Sequence, residues 1–221
     1  MNIGSGALRT PPVVKNLLII DALVFFAQAY LPNGWGNILT VKGALFFGKS
    51  DYFQPYQLVT HMFLHGSFGH LFLNMFSLWM FGRILEYDLG SKRFLTFYMI
   101  CGIGAALLYS GVNWLEISYL RSTGVSEIIV QRAINIPSLG ASGAIFGVLL
   151  GFGMMHPNSV IMLLIPPITM KAKYFVIIFM VLEIIQGFAV TDNVAHFAHV
   201  GGMIWGFFLL RYWKRTGKIY Y

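Results

Sequence analysis

Residues Gly140 to Gly147 read GASGAIFG, and the apolar run that starts there continues to Met155. Ser142 has glycine two positions before it and another directly after it. A strongly hydrophobic segment therefore begins with small, flexible residues around a single hydroxyl group. Small residues in membrane helices let another helix approach closely, which could bring a second side chain to this hydroxyl. Ser142 is therefore the first candidate for a functional side chain.

The whole chain shares this hydrophobic character. Of its 221 residues, 57% are hydrophobic and 10% are charged, and its mean hydropathy is +0.70, outside the usual range of soluble domains. We predict an all-α membrane protein, a bundle of six transmembrane helices. A crossing needs ~20 apolar residues, and the predicted spans are Leu17–Leu31, His70–Leu85, Phe94–Leu115, Gly140–Met155, Tyr174–Val190 and Ala195–Trp213.

The positions of lysine and arginine predict the orientation, because cytoplasmic loops carry the excess of these residues. With both termini in the cytoplasm, only four of the 15 lie outside: Lys42, Lys49, Arg121 and Arg132. The net charge of +7 then reflects topology and contact with anionic lipid headgroups. A nucleic-acid partner is not expected, since a soluble basic surface is lacking.

The chain divides into a short arm at residues 1–13, a membrane domain at 14–213 and a basic tail at 214–221. No cleavable signal is expected, because the first apolar run lacks a small-residue cleavage site. The one cysteine, Cys101, excludes an intrachain disulfide and a cysteine-based metal cage.

The connections between the predicted spans differ in character. We expect the first outer loop, 33–58, to lie at the membrane interface and residues 116–138 to face water. The inner connection after Met154 is interrupted by prolines, so we expect it to be extended.

Four polar side chains fall at one depth. Ser142 lies about two residues into its span and His199 about four, so at 1.5 Å per residue both lie within roughly two turns of the outer surface. His70 and Asn74 open the second span in the same layer and, at positions i and i+4, share a helix face. Histidine inside a membrane is costly and indicates a functional site.

Repeated small residues predict which helices meet. Gly143, Gly147 and Gly151 recur every fourth residue in span four, and Ala198, Gly202 and Gly206 do so in span six. Such ridges allow close packing of backbones in lipid, although most of them serve packing alone. Ser142 and His199 each lie one residue from their ridge, so a hydrogen bond between them is sterically feasible.

These residues match the needs of a serine nucleophile. His199 can accept the Ser142 proton and return it to the leaving amine, while the Ser142 N–H, the Asn74 amide and the His70 ring can donate to an oxyanion. A carboxylate to complete a triad is not evident, since Asp192 precedes His199 by seven residues, ~10 Å along a helix. A dyad is therefore predicted, with Phe146 packed on the His199 ring in place of an acid.

Three stretches carry a resemblance to a known family: HGSFGHLFLN from His65 to Asn74, GASG from Gly140 to Gly143, and AHVGGMIWG from Ala198 to Gly206. In this order, and on these spans, they resemble the rhomboid intramembrane serine proteases. The resemblance extends from about Val14 to Arg211.

The resemblance implies a Ser142–His199 dyad at the floor of a water-filled cavity that opens to the non-cytoplasmic side, in a bacterial inner membrane. It implies an oxyanion hole of His70, Asn74 and Ser142. Supporting positions are Gly140, Gly143, Phe146, Gly202 and Gly206. The implied substrates are membrane proteins, cut near a transmembrane segment after local unwinding, with span five and an outer loop moving to admit them. No metal or other cofactor is implied, and the sequence carries no signal for an oligomeric state.

The first outer loop departs from the family pattern. Tyr56-Gln57 stands where the family typically has a Trp-Arg pair. This pair is not part of the dyad, so the departure bears on the stability or docking of the loop and not on the chemistry.

Three other functions remain open. The pairs His61/His65 and His196/His199 have spacings that suit a membrane metalloenzyme, although carboxylate ligands near them are not evident. A non-catalytic rhomboid-like scaffold would bind client helices without cutting them, but such proteins usually lack the serine or the histidine. Asp21 and Glu183, inside spans one and five, fit a proton relay, and Glu183 fits equally well a hydrogen bond to a neighbouring helix or a position at the substrate gate.

Overall fold

The structure is a computed structural model that describes residues 9–32, 34–162, 167–189 and 193–221. Helices dominate it. They are α1 (Pro12–Tyr30), α2 (Trp35–Gly43), α3 (Gln57–Thr60), α4 (Phe68–Ser77), α5 (Arg83–Leu89), α6 (Ser91–Ser122), α7 (Glu127–Ile134), α8 (Ser142–Met155), α9 (Ala172–Ala189) and α10 (Asn193–Arg215). A 3₁₀ turn, His61–Phe63, follows α3, and a π-helical turn, Leu78–Gly82, joins α4 to α5.

The described residues of each of the six predicted spans lie mostly on a helical segment, with the second distributed over α4, the π turn and α5. Within the described residues, α1 and α6 are both long and apolar enough to cross a membrane, and α8 is a shorter apolar helix. The outer faces of the bundle suit lipid: Leu23 on α1 is 64% exposed and Phe188 on α9 is 78% exposed. Six crossings remain a prediction.

The centre of the bundle is formed by α6, α8 and α10, which pack closely against one another. The main core cluster includes Phe97, Cys101, Val148, Met203 and Leu210 from these helices. Helix α9 packs on α10 and, less extensively, on α8. Cys101 is a free, buried thiol.

Helix α1 begins at Pro12, two residues before the predicted start of the domain. Proline is well suited to the first position of a helix, where its missing N–H costs nothing. The buried Glu86 carboxylate accepts hydrogen bonds from the Val13 and Val14 N–H groups at 2.9 and 2.8 Å. Ser91 Oγ donates to the same carboxylate at 2.7 Å, so one acid links α1, α5 and α6.

The predicted outer loops contain further helices. Helix α6 continues through Glu116 to Ser122, and α7 follows it, so most of residues 116–138 are helical. Leu45 in the first outer loop forms a two-way backbone bridge with Ser138, at 2.8 Å in each direction. This bridge ties the first outer loop to the segment that leads into α8.

The described part of the inner connection contains two short extended strands. The strands β1 (Val160–Met162) and β2 (Thr169–Lys171) pair antiparallel, with Val160 opposite Lys171 and Met162 opposite Thr169. Pro166 lies outside the described residues. The strand pair leads directly into α9.

Gln57, the residue at the position of the expected family arginine, is fully buried. Its side-chain N–H groups donate to the carbonyls of Lys42 and Tyr52 at 3.1 and 2.9 Å. Its carbonyl oxygen accepts from the Gln54 and Phe46 N–H groups at 3.1 and 3.4 Å. A neutral amide therefore crosslinks the first outer loop at four backbone points.

Candidate active site

Ser142 and His199 meet between α8 and α10. Ser142 opens α8, and its Oγ lies 2.8 Å from His199 Nε2. Both side chains are partly exposed, so they contact each other and remain open to a substrate. When His199 Nε2 carries no proton it is a hydrogen-bond acceptor, and the Ser142 hydroxyl is then the donor.

The contact depends on the glycine seam between the two helices. A Cβ atom at Gly202 would overlap the backbone carbonyl oxygen of Gly143. A Cβ atom at Gly206 would lie 3.5 Å from the Gly147 Cα and 3.1 Å from the Phe97 ring. The helices are thus as close as their backbones allow, and this brings Ser142 within hydrogen-bond distance of His199.

The His199 ring is held on its flat face by Phe146. The two ring centroids are 4.3 Å apart and the planes differ by 11°. Phe146 lies one helical turn after Ser142 on α8, so the same helix carries the hydroxyl and the ring that orients its partner.

A carboxylate that the sequence analysis did not assign to the site lies behind His199. Glu183 Oε2, on α9, is 2.8 Å from His199 Nδ1 and also 2.8 Å from His196 Nδ1. Glu183 is 9% exposed. Asp192, the acid weighed in the sequence, lies outside the described residues. The acid that the described residues place at His199 therefore comes from α9.

His70 approaches the serine from α4. A Cβ atom at Gly140 would lie 2.8 Å from His70 Nε2 and 3.7 Å from Ser142 Oγ, so the missing side chain leaves the two groups facing each other. Gly140 also has φ +131°, a conformation that favours glycine. His70, Gly140, Ser142, Gly143 and His199 share the lining of a cavity of about 160 Å³.

Asn74 lies one turn after His70 on α4 and is buried, with 6% of its surface exposed. Among the described residues its Nδ2 has no hydrogen-bond partner. A buried amide without a partner costs free energy, on the order of 1–3 kcal/mol. Such a group has a donor available for a ligand.

Backbone contacts fix the segment that precedes Ser142. The Gly140 N–H donates to the His61 carbonyl at 2.9 Å, and Tyr109 Oη donates to the Ile136 carbonyl at 3.0 Å. His61 Nδ1 lies 2.8 Å from the Gln57 carbonyl. Burial lowers the pKa of His61 to about 4, against the smaller opposing effect of this hydrogen bond, so the ring is neutral at neutral pH.

His61 and His65 do not form a shared metal pair. His61 faces the Gln57 carbonyl, whereas the fully buried His65 ring packs edge-on against His70, 5.1 Å between centroids. His65 Nδ1 lies 4.0 Å from Asp21 Oδ1. Asp21 therefore has a histidine neighbour within the bundle.

The second histidine pair does have a carboxylate beside it. Glu183, His196 and His199 offer three ligand atoms within 4.8 Å of one another, so a carboxylate that was not evident in the sequence does lie near this histidine pair. Two ligands on a tetrahedral zinc ion at ~2.0–2.1 Å would be roughly 3.3 Å apart. The distances of 2.8 Å from Glu183 Oε2 to the two Nδ1 atoms match hydrogen bonds instead. The other ring nitrogen of His199, Nε2, contacts Ser142 Oγ.

Comparison with known proteins places this geometry in context. The family model described as "Rhomboid domain" matches residues 52–215. RHOMBOID-like protein 5 of Arabidopsis thaliana is 34% identical over 205 residues, 92% of this chain and 54% of that protein. Rhomboid protein 1, mitochondrial, of Saccharomyces cerevisiae is 32% identical over 156 residues, 71% of this chain and 40% of that protein.

A bacterial relative carries the word protease in its name. Rhomboid protease GluP of Bacillus subtilis is 33% identical over 153 residues, 69% of this chain and 25% of that protein. The chain spans about half the length, or less, of the curated relatives described here.

Proposed function

The chain belongs to the rhomboid family, and we propose that it is an intramembrane serine endopeptidase that cuts transmembrane segments of other membrane proteins. The observation that carries this proposal is the 2.8 Å contact between Ser142 Oγ and His199 Nε2. The membrane domain of residues 14–213, with six crossings and both termini in the cytoplasm, is part of the proposal.

Acylation uses the serine as the nucleophile. Ser142 Oγ attacks the carbonyl carbon of the scissile bond while its proton passes to His199 Nε2. The resulting oxyanion is stabilised by hydrogen-bond donors in the site: the Ser142 N–H at the start of α8, the Asn74 amide and the His70 ring. The unpartnered Asn74 Nδ2 supports its part in this set, and the N-terminal end of α8 adds a partial positive charge.

The covalent intermediate then breaks down in two steps. In the first step His199 gives the proton to the amine nitrogen and the carbon–nitrogen bond breaks. The product with the new amino terminus leaves, and the acyl group stays on Ser142 Oγ. In the second step a water molecule gives a proton to His199 and attacks the acyl carbon. The bond between that carbon and Ser142 Oγ then breaks, His199 returns the proton to Oγ, and the carboxylic acid product leaves. The cavity of about 160 Å³ beside the pair has room for this water.

Substrates must present an extended backbone to the serine. In an intact helix each carbonyl accepts a hydrogen bond from the residue four positions on, which shields the peptide groups. A transmembrane segment with helix-weakening residues near its outer end is the substrate class that fits a site near the outer surface. The proposed location is a cell membrane with the site open to the non-cytoplasmic side.

Purified protein in detergent, incubated with a single-span model substrate, tests the proposal. We expect cleavage by the wild type, none by Ser142→Ala or His199→Ala, and a rate on the order of 100-fold lower for Asn74→Ala, the usual cost of one oxyanion donor. Chelators should leave the rate unchanged. A folded wild type that binds but does not cut such helices would favour the scaffold interpretation, and loss of cleavage on chelation would favour a metalloenzyme.

A further inference from the structure

We propose that Glu183 is a positioning residue for this reaction: its carboxylate holds His199 with Nε2 turned towards Ser142. The inference rests on the proposed function and adds a third residue to the expected dyad. Glu183 Oε2 is 2.8 Å from His199 Nδ1, and His199 Nε2 is 2.8 Å from Ser142 Oγ. The three groups form one continuous chain of hydrogen bonds.

Counting protons along this chain gives the functional consequence. An ionised carboxylate can only accept hydrogen bonds, so the proton of the neutral His199 ring lies on Nδ1. The free electron pair then lies on Nε2, opposite the Ser142 hydroxyl. The other tautomer would point an N–H group at Ser142 and could not act as a base.

The carboxylate also has a role once the proton has moved. When His199 accepts the serine proton, the ring becomes positively charged in a site that is mostly protein. A carboxylate 2.8 Å from Nδ1 offsets this charge, and hydrogen bonds between charged groups are stronger than neutral ones. The benefit arises only after proton transfer, so it lowers the barrier without strengthening substrate binding.

His196 fixes the acid from a second side. Its Nδ1 lies 2.8 Å from the same Oε2 atom, and its ring stands at 90° to that of His199. Two N–H donors on one oxygen leave the carboxylate little rotational freedom. His196 therefore acts on the reaction only through Glu183.

The three linked residues come from three helices. Ser142 is on α8, His199 on α10 and Glu183 on α9. The outward movement of α9 that would admit a substrate would therefore also withdraw the acceptor from His199. Full activity requires α9 to be packed against α10.

The competing explanation is a purely structural tie between α9 and α10. The two explanations differ in what they change: a structural tie affects folding, whereas a positioning residue affects kcat. Cleavage of the single-span substrate by Glu183→Ala, Glu183→Gln and Glu183→Asp, with thermal unfolding measured alongside, separates them. Gln186→Ala is the matched control, since Gln186 is exposed on the same helix.

We expect Glu183→Ala to lower kcat on the order of 100-fold or more, with KM within about threefold, by analogy with the loss of the acid in serine triads. Glu183→Gln, almost the same shape, should lose at least about tenfold because the charge is gone. Glu183→Asp should recover part of the rate, and Gln186→Ala should match the wild type. His196→Gln should be slowed less than Glu183→Ala.

Wild-type kcat in Glu183→Gln or in Glu183→Ala overturns the inference. If Ser142→Ala is inactive in the same assay, the proposed protease function survives that result. Cleavage that persists in Ser142→Ala overturns the proposed function together with this inference. If Glu183→Ala fails to fold, the near-isosteric Glu183→Gln decides the matter, since a folded variant with unchanged kcat would leave only the structural tie.

Discussion

Phe146 lies parallel to the His199 ring, with 4.3 Å between centroids and an interplanar angle of 11°. The hydroxyl of Ser142 and the Glu183 carboxylate contact the ring edge at Nε2 and Nδ1, while Phe146 covers one of its faces. The imidazole is thus held in three ways, each by a different side chain.

Replacing Phe146 should loosen this ring without removing a reacting group. We expect Phe146→Ala to lower kcat about tenfold, because aromatic stacking contributes ~0.5–1.5 kcal/mol. Phe146→Tyr keeps the stacking surface and should stay close to the wild-type rate. Steady-state kinetics of the two variants provide the check, and equal rates for Phe146→Ala and the wild type would show that the stacking does not orient the base.

Gly202 is the position in the α8–α10 seam that leaves the least space for a side chain. A methyl group there would overlap the Gly143 carbonyl oxygen, and backbone cannot yield as a side chain does. We expect Gly202→Ala to lower the free energy of unfolding by roughly 3 kcal/mol, the upper range for overpacking, and to abolish activity.

Gly111 provides the matched control for that substitution. It lies in α6, and nothing is within 4 Å of a Cβ atom built there. Gly111→Ala should be neutral or stabilising by up to about 1 kcal/mol, from helix propensity alone. Similar thermal unfolding of the two variants in detergent would contradict the close seam.

Gln57 should stabilise the first outer loop. Its removal in Gln57→Ala leaves two N–H groups and two carbonyls without their partner, and we expect a loss of roughly 2 kcal/mol or more. Gln54→Ala, an exposed side chain in the same loop, should have little effect. Limited proteolysis of the loop and thermal unfolding test this, and equal behaviour of the two variants would refute it.

Buried His61 should make stability depend on pH. Burial lowers the pKa of His61 from 6.5 to about 4, so on acidification the unfolded chain binds a proton before the folded chain does. Its stabilising contribution is complete above pH 6.5 and falls by an amount on the order of 3 kcal/mol as the pH drops towards 4. His65, whose pKa is also lowered to about 4 by burial and by His70, adds to the effect.

Thermal unfolding measured from pH 7 to pH 4 gives the test for this dependence. In His61→Gln the dependence should be shallower than in the wild type, whatever the absolute stability of the variant. Identical pH dependences in the two proteins would mean that His61 is not neutral in the folded state.

The sequence predicted the parts of the site that follow from depth and small-residue spacing. Ser142, His70 and His199 lie near the N-terminal ends of their predicted spans, and the glycine ridges indicate that α8 and α10 meet. Phe146 follows from helical periodicity, since it lies one turn after Ser142. Depth and spacing can be read directly from the sequence, and they were enough to select the proposed nucleophile, the proposed base and the stacked ring.

Glu183 was missed because the acid was sought next to His199 in the sequence. The contact joins residues 16 positions apart on two successive helices. Glu183 lies six residues before the end of α9 and His199 six residues after the start of α10, so equal rise along both helices brings them to one level. The same depth argument, applied to carboxylates, would have found it.

Other features depend on tertiary contacts that no local pattern reports. The four hydrogen bonds of Gln57 join separate parts of the outer loop. The Glu86 carboxylate, on α5, accepts hydrogen bonds from N–H groups in the first turn of α1. Helix α6 continues to Ser122, seven residues beyond the predicted end of its span. Apolar composition indicates where a span can lie and does not indicate where its helix stops.

Labelling with a fluorescent fluorophosphonate tests the central claim most directly, because this reagent reacts with activated serines whether or not a substrate is known. The wild type and Ser138→Ala, which lacks a second serine of the same cavity, should label equally. Ser142→Ala and His199→Ala should not label. Equal labelling of all four folded proteins, or none in the folded wild type, would contradict an activated Ser142.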